Sequence, residues 1–443
     1  MGRDEPNGSE SARARAAGAS LNPKTRPDEA MAVAPVEFVA DPALTLQLLA
    51  WTVAGASLGS LSGLIPGIHA NNFALLLAGV AVSVPGPPLF IGCAMLAAGV
   101  VHTFLNVVPA MALGVPDAEM AVTALPGHRM VRDGRGYEAI RLSALGSVLA
   151  VLVAVPLAIP VTRVMTAVYP TIRANLSLVL AMVVVALIAS EFTWRARLAG
   201  LLSFSLAAGL GLLTLDLSPD APLEAGGTLA PLFAGLFGAP VLIDALVGSG
   251  IPRQHDGEIA MSRRLVGATA LAGALAGAIV GYIPGISAAI AAVAVLVFVP
   301  GNAGDRGYIV ATSGVDTANT IFALFALVAI GQPRTGVMVA FENVNAPLEL
   351  PILLVAVVLA GLIGFVLVIV VGETYLELAG RVAYWKISTA VLGLLLALSY
   401  LFTGPLGIAI FVGATVVGLV PVRLRARRVH LMGVLIGPLV VGF

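Results

Sequence analysis

Residues 59–79 read GSLSGLIPGIHANNFALLLAG. A proline-glycine pair, a histidine and two asparagines interrupt a run that is otherwise apolar. Proline has no N–H to give a helix and its ring clashes with the preceding turn, while glycine accepts the dihedrals that follow. The stretch therefore reads as one helix that stops at Pro66-Gly67 and a second, shorter one that starts beyond it. In hydrocarbon such a break survives only against protein or a wet cavity, because an unpaired backbone group there is costly.

Hydrocarbon is the solvent that the rest of the chain calls for. Its 443 residues are 59% hydrophobic and 11% charged, with a mean hydropathy of +1.00. A soluble domain carries about 25% charged residues. Runs such as LPILLVAVVLAGLIGFVLVIVVG reach the roughly 20 residues that cross a bilayer as helix. They are continuous rather than alternating, which argues against a β-barrel. The composition predicts an all-α polytopic membrane protein, placed in the plasma membrane with lipid as its first partner. Formal net charge is zero, so no bulk electrostatics favour nucleic acid. The single cysteine, Cys93, excludes an intrachain disulfide. The histidines form no HxxxH or HExxH pair, so no metal site is legible, and no enzyme is expected.

Residues 1–41 are rich in Gly, Ser, Ala, Pro and charge and read as a disordered polar tail, with Met31 as an alternative start. About fourteen membrane segments follow. Two of them, 69–84 and 286–299, are short enough to be half-helices or re-entrant segments. The organisation expected is a first transmembrane repeat over 42–250, a cytoplasmic linker at 251–264, and a second repeat over 265–443 with extra C-terminal helices. Most Lys and Arg gather in the loops at 129–141, 195–197, 253–264, 381–386 and 423–428, which makes that side cytoplasmic. Arg163, Arg173 and Arg334 fall outside, and Arg306 is ambiguous. Trp51, Trp194, Trp385 and Tyr384 read as interfacial anchors at segment ends.

The opening motif recurs. GAIVGYIPGISAAIAAVAVLV begins at Gly277, 218 residues after Gly59, and shares the pattern G-x-x-x-G-x-I-P-G-I. Downstream, VHTFL (101–105) answers ANTIF (318–322), and GVP (114–116) answers GQP (331–333), each 217 residues apart. The threading starts one half outside and the other inside, so the repeats should be inverted. Inverted repeats with broken helices in matching places point to the binding site of a secondary transporter. The freed N–H groups of the second half-helices carry partial positive charge and suit an anion.

These paired motifs resemble the large permease subunit of the tripartite tricarboxylate transporter family. So do GVPDAEMAVTALPGHRMVRDGRGYEAIRLSALGS (114–147) and the ending RARRVHLMGVLIGPLVVGF. The likeness covers about residues 43–443 and implies uptake of a small carboxylate driven by a cation gradient. It also implies two partners, a small membrane subunit and an extracytoplasmic solute-binding protein. The family's binding region falls here on Pro66, Gly67, Pro284 and Gly285. Where the family usually has glycine two positions further on, this chain has His69 and Ser287.

Ionisable groups inside membrane segments are functional candidates because their burial is expensive. Asp316 leads: it shares a helix face with Asn319 and suits Na⁺ or H⁺ as coupling ion, with a helix-start cap as the other reading. Asp117 is a second ion-coupling candidate, or the start of a helix. The substrate-binding set is Pro66, Gly67, His69, Asn71, Asn72, His102, Asn106, Pro284, Gly285, Ser287, Asn319 and Thr320. His102 and Asn106, one turn apart, read equally as a satisfied interhelical hydrogen bond. No cofactor is expected. The function expected is alternating-access symport of a small organic anion, with a cation/proton antiporter or a channel as the alternatives.

Overall fold

The computed structural model describes residues 41–66, 84–114, 124–218, 220–223, 227–246, 251–283 and 303–442, with single residues 73, 74, 77, 288, 291 and 295. Among the described residues the chain is helical and has no strand, and eight helices are long and apolar enough to cross a membrane.

Helix α1, Pro42–Leu64, starts on Asp41, whose carboxylate accepts from the N–H groups of Ala43 and Leu44. It ends because Ile65 stands before Pro66, and proline drives its predecessor out of the helical region; Ile65 is extended, with φ −88° and ψ 112°. Helix α2, Pro88–Leu105, runs through Asn106 into α3, Val107–Leu113. Pro109 has no N–H to return to the carbonyl of Leu105, which loosens the helix at Asn106. Gly114, left-handed at φ 67°, closes α3.

Helix α4 (Ala124–Arg132) leads to α5 (Gly136–Ala174), α6 (Leu176–Ala189), α7 (Trp194–Thr214) and α8 (Leu229–Ala245), the last with a π turn at Ala234–Gly238. After an irregular segment, α9 (Arg263–Tyr282) begins on the side-chain cap of Ser262. It ends 218 residues after α1, and Ile283, before Pro284, is again extended. Helix α10, Gly304–Ile330, is closed by Gly331, also left-handed at φ 67°. Then come α11 (Gly336–Asn343), α12 (Leu350–Arg381), α13 (Tyr384–Leu424) and α14 (Arg428–Val441).

Helix α13 is two helices in one run. Gly404 sits at φ 64° and ψ −159°. A Cβ on Gly407 would lie 2.1 Å from the carbonyl oxygen of Ser399. Eight residues of straight helix would separate those groups by about 12 Å, so the chain doubles back there. The parts of α13 before and after Gly404 thus form a tight hairpin.

Helices α2, α3 and α10 form the interior, while α1, α7, α12 and α13 turn Leu and Val outward. Apolar residues on all faces are what a lipid-facing helix requires. Glycines set the tightest contacts. In α1, Gly55, Gly59 and Gly63 lie against Ala94, Ala98 and Leu105-Asn106. In α9, Gly273, Gly277 and Gly281 lie against Ala311, Val315 and Phe322-Ala323. Partner for partner, the α1–α2 contact recurs in α9–α10 at the spacing of the sequence motifs. Small residues at every fourth position let backbones meet.

Helices α5 and α10 run side by side in one direction. Arg306 at the start of α10 donates to Glu138 at the start of α5, and Tyr169 near the end of α5 donates to Gln332 beyond α10. Arg306 therefore joins the arginine-rich end. The segment before α9 is bolted there: the Gln254 side chain bridges Gly136 N and Val131 O, Asp256 pairs with Arg141, and Ala260 N donates to Glu138. The two closing helices cross over, α8 packing on α13 and α14 on α7. Trp194 and Trp385 open helices and are exposed, as anchors should be. Trp51 does not: it lies mid-α1, half-buried against Gly86, because that loop folds back over the helix.

Candidate substrate and ion site

Helices α2 and α10 cross at a cluster of buried polar side chains. Asp316 is fully buried mid-way along α10, which rules out the water-facing helix-start reading. Asn106 Nδ2 donates to Asp316 Oδ2 at 3.0 Å. One turn earlier, Thr103 Oγ1 lies 3.1 Å from Thr317 Oγ1. Thr103 spends its proton on Val100 O, so Thr317 is the donor between the two hydroxyls. Ser62, near the end of α1, places its hydroxyl 2.8 Å from His102 Nδ1. On the far side of α10, Ser313 meets Ser143 Oγ at 2.8 Å, and its carbonyl accepts from Ser147. Asn319 and Thr320 are buried on the next turn.

The ends of α1 and α9 flank this crossing. Gly63 sits against Asn106 N and His102 O, and Gly281 against Ala323 N. Both helices stop within a residue or two of those contacts, where their Ile-Pro-Gly sequences begin. Pro66 is buried just beyond α1. Beside the crossing lies a small, partly open recess with a cavity volume of about 10 Å³, room for about one water molecule. Its walls are apolar, from Met95, Ala98, Leu77, Val337 and Ala340 among others, and His102 is the one ionisable group among the lining residues described.

Of the residues singled out in the sequence, His102, Asn106, Asp316, Asn319 and Thr320 come together with Pro66 nearby. Gly67, His69, Asn71, Asn72, Asp117, Pro284, Gly285 and Ser287 lie outside the described residues. Sequence reasoning missed Ser62, Thr103, Thr317 and Ser313. Their only signal is position: Ser62 within the glycine motif, Thr103 beside His102, and Thr317 beside Asp316.

Among the described residues eight helices are long and apolar enough to cross a membrane, and the family match makes the chain a multi-pass membrane transporter component rather than an enzyme. The chain matches the tripartite tricarboxylate transporter TctA family over residues 49–433, and it belongs to that family. It is 26% identical over 419 residues to an uncharacterized protein of Methanocaldococcus jannaschii, an alignment covering 89% of this chain and 98% of the relative. No solved structure matches it.

Proposed function

We propose that the chain is the permease of a secondary active carrier for a small organic anion, a carboxylate, driven by a cation gradient. The observation that supports this best is the buried Asp316–Asn106 pair at the crossing of α2 and α10, flanked by the two helix ends at Ile65-Pro66 and Ile283-Pro284. A buried carboxylate needs compensation. Asn106 supplies one bond, and a Na⁺ or a proton is the species that would neutralise the charge. Asp316 is then the coupling group, and its occupancy by a cation offsets the charge of an arriving anion. The half-helices expected from the sequence beyond Pro66-Gly67 and Pro284-Gly285 open on backbone N–H groups, and in this reading those are the donors for the solute. In this reading the two halves are inverted repeats, and they rock about the crossing to open each side in turn. A small membrane subunit and an extracytoplasmic binding protein complete the carrier and deliver the solute.

Proteoliposomes holding the full chain, loaded with an imposed Na⁺ or H⁺ gradient, test this. Asp316→Asn keeps the shape and the amide contact but removes the charge. The expected result is loss of gradient-driven accumulation with an unchanged elution profile and melting curve. Normal accumulation by this variant removes Asp316 from coupling. Cation exchange without any organic solute would favour an antiporter instead.

A further inference from the structure

Within the permease reading, on which this rests, we propose that Arg334, braced on Tyr169, captures a single carboxylate of a singly charged solute on the outer route to the site. Arg334 lies between α10 and α11, at the end of the molecule away from the arginine-rich loops. It is the one Lys or Arg between Gly307 and Gly380. Its guanidinium carbon stands 5.1 Å from the ring centroid of Tyr169, and its terminal nitrogen donates to the Tyr169 hydroxyl. Tyr169 in turn donates to Gln332. Stacking of this kind fixes the plane of the fork.

Among the described residues the guanidinium meets no acid. The half-buried arginines at the opposite end, Arg141, Arg306 and Arg427, each meet a carboxylate. No described carboxylate pairs with Arg334, and its Nε is buried with no acceptor. A buried donor left unmade is unfavourable, and a guanidinium prefers two parallel bonds to one planar anion. An arriving carboxylate supplies both acceptors. Three residues on, Val337 begins the apolar wall of the recess that ends at His102.

Charge bookkeeping along the route limits the solute to one carboxylate. No Lys or Arg occurs from Pro27 to His128, or from Leu265 to Asp305. Arg306 is about 15 Å along the helix from Asp316 and is committed to Glu138. Asp316 itself adds a negative charge at the crossing. A tricarboxylate would bring three charges to one half-buried arginine and an apolar wall, Arg163 and Arg173 of α5 at the same end being exposed, and unpaired buried charge is strongly disfavoured. A monoanion with an apolar body matches what is there.

The test uses the full chain in detergent and in proteoliposomes, with benzoate, its neutral isostere benzamide, and citrate as probes. Wild type should bind benzoate about tenfold or more tighter than citrate, a difference of roughly 1.4 kcal/mol. Arg334→Gln should weaken benzoate by a similar factor and leave benzamide unchanged, while Arg334→Lys should recover part of the loss. A melting curve identical to wild type separates recognition from folding, and Tyr169→Phe, which keeps the stack, should lose less than Arg334→Gln. Equal benzoate binding by Arg334→Gln, or tighter binding of citrate than benzoate, overturns the inference and leaves the permease intact. Failure of every probe to bind or accumulate overturns both.

Discussion

Asn106 donates to the Asp316 carboxylate across the packing of α2 on α10. Hydrogen bonds to charged groups contribute about 1.5–3 kcal/mol. Asn106→Ala should therefore lower the melting temperature in detergent, and the drop should shrink in the Asp316→Asn background, where the buried charge is already gone. An equal drop in both backgrounds would mean that the two side chains do not act together. Asp316, His102 and Asn106 were legible because polar groups of that size are out of place in apolar runs. Ser62, Thr103 and Thr317 were not. A hydroxyl commonly returns its proton to its own helix, as Thr103 does to Val100, so only the facing helix shows its second bond. Arg334 was read as a loop charge, since a sequence does not show which arginines find an acid.

At the scale of helices, the α1–α2 and α9–α10 pairs rest on backbone contact at glycine. Any Cβ at Gly59 would lie 2.3 Å from the carbonyl oxygen of Ala98, and at Gly277 it would lie 2.7 Å from that of Val315. Gly209 in α7 has open space around it. Gly59→Ala and Gly277→Ala should each cost about 1–3 kcal/mol through overpacking. Gly209→Ala should be neutral or slightly favourable, because alanine is the better helix former. Thermal unfolding of the three variants side by side decides it, and a neutral Gly277→Ala would show that the pair can separate freely. The helix limits at Leu64 and Tyr282 were readable from Ile-Pro alone, since proline acts on its predecessor without help from tertiary structure. Trp51 was misplaced because nothing local tells an interfacial anchor from a ring covered by a returning loop.

Across the whole molecule, one polar cluster ties distant parts together outside the spanning helices. Glu191, between α6 and α7, accepts from Arg427 N and Nε and from His430 of α14. Burial pushes the Glu191 carboxyl up, but the bonds from His430 and Arg427 outweigh it and hold it below the usual carboxylate value. A carboxyl held low in the fold contributes stability at neutral pH, and that contribution is lost as pH falls through its depressed value. Glu191→Gln should lower stability at pH 7 by about 1.5–3 kcal/mol and flatten the acid side of the stability profile. An unchanged acid limb would show that other groups govern acid unfolding. Hydropathy revealed the spans and the motif revealed the repeat, but neither showed the crossing-over of α8 onto α13 and α14 onto α7. Uniformly apolar helices carry no address for their neighbours.

That exchange of closing helices has a consequence for engineering. The portions before and after 252–262 each pack a closing helix on the other, so each alone leaves apolar surface bare. Severed in the stretch between Pro252 and Ser262 and made together in one cell, the fragments should find each other again and co-purify; made singly, each should be degraded.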